Sequence, residues 1–428
     1  MGGVAVVAAV LLAYALVERR LRPTPVSGAM LFTAVGLLAS EQVTGLFSPS
    51  LHADAAEFLE LTLVIVLFTD AMAVNASGWT TEAPLPVRLL GVGLPLTMAA
   101  GWALAFLLFP DIGIWGAALL AAVLAPTDSA LGLPVINDER VPRLIRHALN
   151  VEGGVNDGLA LPFVTIFLAL ALEQEGAVGG GHVATVFLRA LVASAAIGLV
   201  VGWAGAAALR WSMGRGWSGR HWRSVALLAM AVLAFVLADE IDGSGFIAAW
   251  AAGLAAGLTS RATLTEAQQT PEEIANIGVS VSFVLFGAFF LAPALEHVTW
   301  TAVGYALLSL TVIRMVPVAI SLHGSRLAFP TVAYVGWFGP RGLASIVFAD
   351  LVAASRLPHQ ELIVDVVMLT VGLSVLLHGV TAPWGANRYA RWYADAVARN
   401  PDVREAAEAP QVADRVRLSQ GERPKRTG

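Results

Sequence analysis

Three short stretches set ionisable side chains inside otherwise apolar runs. LAPTDSALGLPVI (124–136) holds Asp128 between Pro126 and Pro134. HALNVEGGVNDGLALPFVTIF (147–167) holds Glu152, Asn156 and Asp157. WFGPRGLASI (337–346) holds Arg341 among Gly339, Pro340 and Gly342. A charge within an apolar span costs ~2.5–3.5 kcal/mol on insertion scales and marks an ion or proton path more often than not. Oxygen-only ligands of this kind suit a hard cation. A carboxylate among them holds either that cation or a proton, so one group can couple two fluxes. The chain has no cysteine, which excludes disulfides and thiolate metal or iron–sulfur sites.

The prolines explain why helices should break here. Pro126 frees the carbonyl of Ala122 and Pro134 that of Ala130, because proline has no N–H to donate four residues back. Such backbone is tolerated within a bilayer only when buried in protein or lining a polar cavity. The side-chain oxygens at hand are Thr127, Asp128 and Ser129; a kink with a locally satisfied aspartate is the plain alternative. Two crossing broken helices expose ends carrying roughly half a charge each. Asp128 would neutralise the positive ends and Arg341 the negative ones.

Asp157 lies about eleven residues, ~16 Å, from the expected start of its span, which puts it level with Arg341. Glu152 and Asn156 share one helical stripe, Gly153 and Asp157 the adjacent one. The glycines at 153, 154 and 158 admit close approach of another helix. Either Arg341 or Arg314 (in SLTVIRMVPVAI) is placed to hold Glu152 as a fixed ion pair, and Asp157 has the same plain alternative. Asp70, in LVIVLFTDAMAV, is divided between helix packing or gating and ion binding. Asp350, Asp365 and His378 read as structural.

The elements that must position these residues follow from composition. Of 428 residues 57% are hydrophobic and 13% charged, mean hydropathy is +0.73, and soluble domains average about 25% charged. This is an all-α polytopic membrane protein. Thirteen segments are expected, at 3–17, 26–40, 55–75, 87–109, 112–136, 146–172, 183–209, 223–239, 244–260, 273–292, 300–322, 331–353 and 361–385. Loops after odd-numbered segments carry Arg19, Arg20, Arg22, Arg88, Arg140, Arg143, Arg146, Arg210, Arg215, Arg220, Arg223, Arg261 and Arg326, whereas loops after even-numbered ones carry only Arg356. By the positive-inside rule the N-terminus is outside and the C-terminus cytoplasmic. Six spans from each end leave the seventh in the middle, which makes the halves inverted repeats, broken alike in segments 5 and 12. Residues 387–428 form a charged cytoplasmic tail, partly disordered and partly surface helix. No basic face suggests nucleic acid.

APTDSALGLP (125–134), NVEGGVNDGLALPF (150–163) and WFGPRGLASIV (337–347), in this order and spacing, resemble the monovalent cation:proton antiporters of the NhaP-like and NHE-like branch. The resemblance covers roughly residues 1 to 385. It implies core helices (87–172 and 300–385) that move against a dimerisation scaffold (3–75 and 223–292) within a transmembrane domain of residues 1–386, and a homodimer. It also implies that Asp157 is the acid that binds cation or proton, with Thr127 and Asp128 as unwound-helix ligands of Na+ or another monovalent cation. Glu152 is then the acid that pairs with the Arg341-type arginine. Asn156 stands where electrogenic relatives have a second aspartate, which implies one-for-one electroneutral exchange. Two departures are Ser129, where many relatives have proline, and Gly153, where they have serine. Ser129 or water would take the place of the lost hydroxyl.

The expectation is therefore a secondary transporter of the plasma membrane, not an enzyme, exchanging Na+ or Li+ for H+ with no cofactor. The alternatives are a K+/H+ antiporter, a cation-coupled solute symporter of similar build, a channel, and an intramembrane aspartyl hydrolase using Asp128 and Asp157. For the last, Arg341 and Asn156 are odd company.

Overall fold

The computed structural model describes residues 2–21, 24–73, 84–136, 138–174, 183–260, 264–355 and 357–406. Among these residues every regular element is helical. The first four helices are α1 (Gly2–Leu21), α2 (Gly28–Ala39), α3 (His52–Ala73) and α4 (Pro84–Leu108). A half-helix pair follows, α5 (Gly113–Val123) and α6 (Ser129–Ile136). Next come α7 (Arg143–Gln174), α8 (Val183–Gly214), α9 (Arg220–Asp239), α10 (Gly245–Ser260), α11 (Thr265–Leu285) and α12 (Trp300–Ser321). A second pair, α13 (Phe329–Trp337) and α14 (Leu343–Ala354), precedes α15 (Gln360–Arg399).

Among the described residues, helical structure falls within each of the expected apolar stretches, at segments 5 and 12 as half-helix pairs. Seven described helices are long and apolar enough to cross a membrane by length and composition, and four shorter helices are apolar as well. Two boundaries differ from expectation by more than five residues. α11 starts at Thr265 rather than 273, so the polar stretch TEAQQTPEE is helical. α15 continues to Arg399 instead of ending at 385, because Ala386, Tyr389 and Ala390 remain buried on its inner face. Residues 74 and 75 of segment 3, the loop arginines Arg22, Arg261 and Arg356, and the tail from residue 407 lie outside the described residues.

Small residues set the packing. Gly198 and Gly202 of α8 lie against the backbone at Ala248 and Ala252 of α10, while Gly253 and Gly257 of α10 lie against the backbone at Phe68 and Met72 of α3. A side chain at any of these four would collide with main chain, which leaves α3, α8 and α10 in close contact. α5 packs on α4 and α7, and α15 on α6, α12 and α14.

The two breaks meet. The chain leaves helix after Val123 and re-enters it at Ser129, and leaves again after Trp337 to re-enter at Leu343. At the crossing the Asp128 N–H donates to the Pro340 carbonyl at 2.7 Å. Gly342 is required by this approach, since a β-carbon there would run into the Asp128 carboxylate. Gly342→Ala is therefore expected to destabilise the protein by about 1–3 kcal/mol through overpacking. Gly304→Ala, in open space on α12, should be neutral or slightly stabilising. Thermal unfolding of the two detergent-solubilised variants checks the contrast.

Candidate functional site

The crossing satisfies four half-helix ends by reciprocal contacts. Asp128 Oδ1 accepts from the N–H groups of Ala130 (2.7 Å) and Leu131 (3.1 Å), the first turn of α6. Its Oδ2 accepts from the N–H of Leu343 at 2.9 Å, the start of α14. One carboxylate thus faces two helix N-termini, where negative charge is most stabilised. Arg341 Nη1 donates to the carbonyls of Ala125 and, at 2.8 Å, Pro126, just past the C-terminus of α5. Ser345 Oγ donates to the Val123 carbonyl at 2.8 Å.

This corrects how the first break is compensated. The Ala122 carbonyl takes the N–H of Ala125 at 3.3 Å, and the carbonyls that need a partner lie beyond it. They find Arg341 and Ser345 on the other broken helix, not Thr127 or Ser129, whose hydroxyls lie instead against Asn156 and Asp70. α15 holds the second break: the Arg341 N–H donates to Ser374 Oγ at 2.7 Å. His378 Nε2 lies 2.9 Å from the Trp337 carbonyl, and its Nδ1 lies 3.2 Å from Ser374 Oγ.

Asp157 lines a cavity of about 180 Å³ between α3, α6, α7 and α11, together with Asp70, Asp128, Ser129, Glu272 and Asn276. Its Oδ1 is buried with no hydrogen-bond partner. Ser129 Oγ lies 3.4 Å from Asp70 Oδ2, and Asp70 also packs against Gly154. Asp70, ambiguous from sequence, therefore lines the same cavity as Asp157. Neither Glu272 nor Asn276 is among the residues expected from sequence: Glu272 falls one residue outside the expected segment 10, which begins at 273, whereas Asn276 lies within it as an uncharged polar side chain. Their signal was available in the polar stripe Glu272, Asn276 and Ser280, spaced by four along α11.

The other expected residues lie to one side. Thr127 Oγ1 accepts from Asn156 Nδ2 at 2.6 Å, and neither residue lines the 180 Å³ cavity. Glu152 pairs with Arg314 at 2.6 Å, both almost wholly buried. The arginine that holds Glu152 is thus Arg314 on α12 and not Arg341, whose Nη1 is engaged by carbonyls. Ser129 and Gly153, the two departures, are neighbours: a β-carbon at 153 would come within 3.1–3.3 Å of Ser129, so the glycine makes room for the serine. A second cavity of about 570 Å³ lies between α1, α2, α6, α11 and α15 and includes Glu18, Thr24, Ser27 and Asp138. Ala130, Leu133, Asn276 and Val279 line both cavities and form the partition between them.

The family model for the sodium/hydrogen exchanger, transmembrane, matches residues 6–387. The chain belongs to this family. The chain is 24% identical over 374 residues to the K(+)/H(+) antiporter NhaP of Alkalimonas amylolytica, covering 85% of this chain and 62% of that protein. It is 28% identical over 298 residues to the uncharacterized Na(+)/H(+) exchanger YjcE of Escherichia coli (strain K12), covering 65% and 50%. The chain therefore spans about half to three-fifths of the length of these relatives. Its fold is that of the sodium proton antiporter MjNhaP1 from Methanocaldococcus jannaschii at pH 8, with TM-score 0.72 and 19% identity over 91% of this chain and all of the other. Family and apolar helices together make the chain a multi-pass membrane protein with the build of a secondary transporter.

The Glu152–Arg314 pair gives a direct test of structural against ligand roles. Truncating one partner, as in Glu152→Ala, leaves an uncompensated buried charge and should cost about 3–5 kcal/mol. Replacing both, as in Glu152→Leu with Arg314→Met, should recover most of that loss in a thermal unfolding comparison.

Proposed function

We propose that the exchanger trades a monovalent cation, Na+ first and Li+ with it, for H+ across the cell membrane. Cation and proton compete for Asp157. The observation that carries this reading is the Asp157 carboxylate, with Oδ1 buried and unpartnered at the wall of a 180 Å³ cavity it shares with Asp70, Asp128 and Ser129. An unsatisfied buried polar atom costs about 1–3 kcal/mol, and more when charged. A bound cation or a proton removes that cost, and the two remove it in mutually exclusive ways. Asp128 answers differently, because its oxygens already serve three N–H groups; it shapes the field and adds an oxygen without being the exchanging group. Asp70 and Ser129 complete an oxygen-only set suited to a hard ion. Thr127 and Glu152 support the site from behind, through Asn156 and Arg314.

One exchanging carboxylate, with Asn156 in place of a second acid, makes the exchange one-for-one and electroneutral. In this reading the chain crosses the bilayer thirteen times as two inverted repeats with the N-terminus outside, and functions as a homodimer. The core (87–172 and 300–385) moves against the scaffold (3–75 and 223–292). The larger cavity opens to the cytoplasm, since Glu18, Thr24 and Asp138 on its wall lie at loops on the arginine-rich side. Alternating access then consists of exposing Asp157 on one side at a time as α7 and the crossing shift past α3 and α11.

A K+/H+ exchanger is the second reading, favoured by the name of the Alkalimonas relative. Proton flux in proteoliposomes driven by imposed Na+, Li+ or K+ gradients separates the two. Asp157→Asn is expected to abolish cation-driven proton movement; flux that survives it overturns the assignment. Asp70→Asn, which removes one charged oxygen and keeps the shape, is expected to raise the apparent KM for the cation about tenfold, the effect of roughly 1.4 kcal/mol of lost binding.

A further inference from the structure

Glu405 lies in the polar segment after α15, in a short turn at Arg404–Ala406, yet is 3% exposed. Carboxylates are almost never buried to that degree unless partnered. Its Oε1 accepts from the N–H of Ala328 at 2.8 Å and from Thr331 Oγ1 at 2.7 Å. Both groups sit at the start of α13, whose N-cap residue Ala328 has no side-chain acceptor of its own. Because the single Thr331 hydroxyl hydrogen goes to Glu405, the Tyr389 hydroxyl, 3.0 Å away, is the donor to Thr331. Tyr389 also stacks on Tyr334 of α13, ring centroids 4.2 Å apart.

α13 has nine residues, a rigid rod of about 13 Å, and its far end leads into the break that carries Arg341. That end is held by Ser374 and His378 of α15, and the near end by Tyr389 of α15 and by Glu405 just beyond it. One 40-residue helix and the turn that follows it therefore pin this half-helix at both ends. Releasing the near end lets the rod tilt, and with it the Arg341 contacts to Ala125 and Pro126 that set the crossing.

We propose that Glu405 is a positioning residue for the exchange site, a clasp from the C-terminal segment that fixes α13 and through it Arg341 and the cation cavity. The transport arm of its test rests on the cation-exchange reading. The probe is Na+ with proteoliposomes of the full chain, comparing wild type, Glu405→Ala, Glu405→Gln and Thr331→Val, with amide hydrogen exchange of the same proteins read over residues 328–336. Expected for Glu405→Ala and Thr331→Val are faster exchange confined to the start of α13 and an apparent KM for Na+ raised at least about threefold, the scale of a lost helix cap. Glu405→Gln, which keeps an acceptor oxygen, should restore much of both. Unchanged exchange at 328–336 overturns the clasp, and faster exchange with an unaltered KM overturns the positioning role and leaves Glu405 an ordinary helix cap. Wild-type liposomes with no cation-driven proton flux overturn the cation reading, whereas the amide-exchange arm judges the clasp by itself.

Discussion

Two interrupted helices crossing inside an apolar bundle leave four sets of backbone groups without intrahelical partners; one acid and one arginine answer three of them, and His378 of α15 lies against the fourth. Asp128 accepts from the starts of both α6 and α14, and Arg341 donates to the carbonyls that follow α5. Neither residue works alone. Each neutralises ends that belong partly to the other's helix, so removing one leaves its counterpart charged and the backbone unsatisfied. Gly342 and the prolines follow from this contact: the glycine because the carboxylate occupies the space of its β-carbon, the prolines because they withhold N–H groups where the chain must be extended.

The site follows from the crossing. With Asp128 engaged by three N–H groups, the buried carboxylate with an open oxygen among the described residues is Asp157 one helix further on, and Asp70 on α3 and Glu272 and Asn276 on α11 line the cavity beside it. Glu152 and Arg314 brace α7 against α12, while Thr127 and Asn156 tie α7 to the first break. Side chains of similar chemistry within a few residues of each other thus have different surroundings. On a helix, adjacent positions face about 100° apart, so Asn156 and Asp157 look onto different neighbours.

Much of this is legible in the chain. Proline and glycine beside Asp128 and Arg341 mark the breaks, because their effect on the backbone is local and does not depend on what packs nearby. The thirteen apolar stretches are likewise read from composition, and among the described residues helical structure falls within each. Less legible are the ends of α11 and α15: a helix that continues beyond its apolar stretch does so when one face still has a partner, as Tyr389 has in Thr331 and Tyr334. The partner of Glu152 was not legible either. Two arginines stood at comparable depth, and the choice between them depends on the angle at which α12 and the crossing approach α7.

The sequence by itself determined that the chain is a helical membrane protein, which two of its helices are broken, and which acids and arginines stand within apolar spans, since composition, proline chemistry and helical period act along the chain. Tertiary structure alone decided who meets whom. It joined Asp128 to Leu343, 215 positions away, gave Arg314 and not Arg341 to Glu152, set Ser129 against Gly153, and brought Asp70, Glu272 and the distant Glu405 into the picture. Hydrogen bonds and ion pairs form only within about 3 Å, and that proximity comes from how the helices cross, which no local pattern encodes.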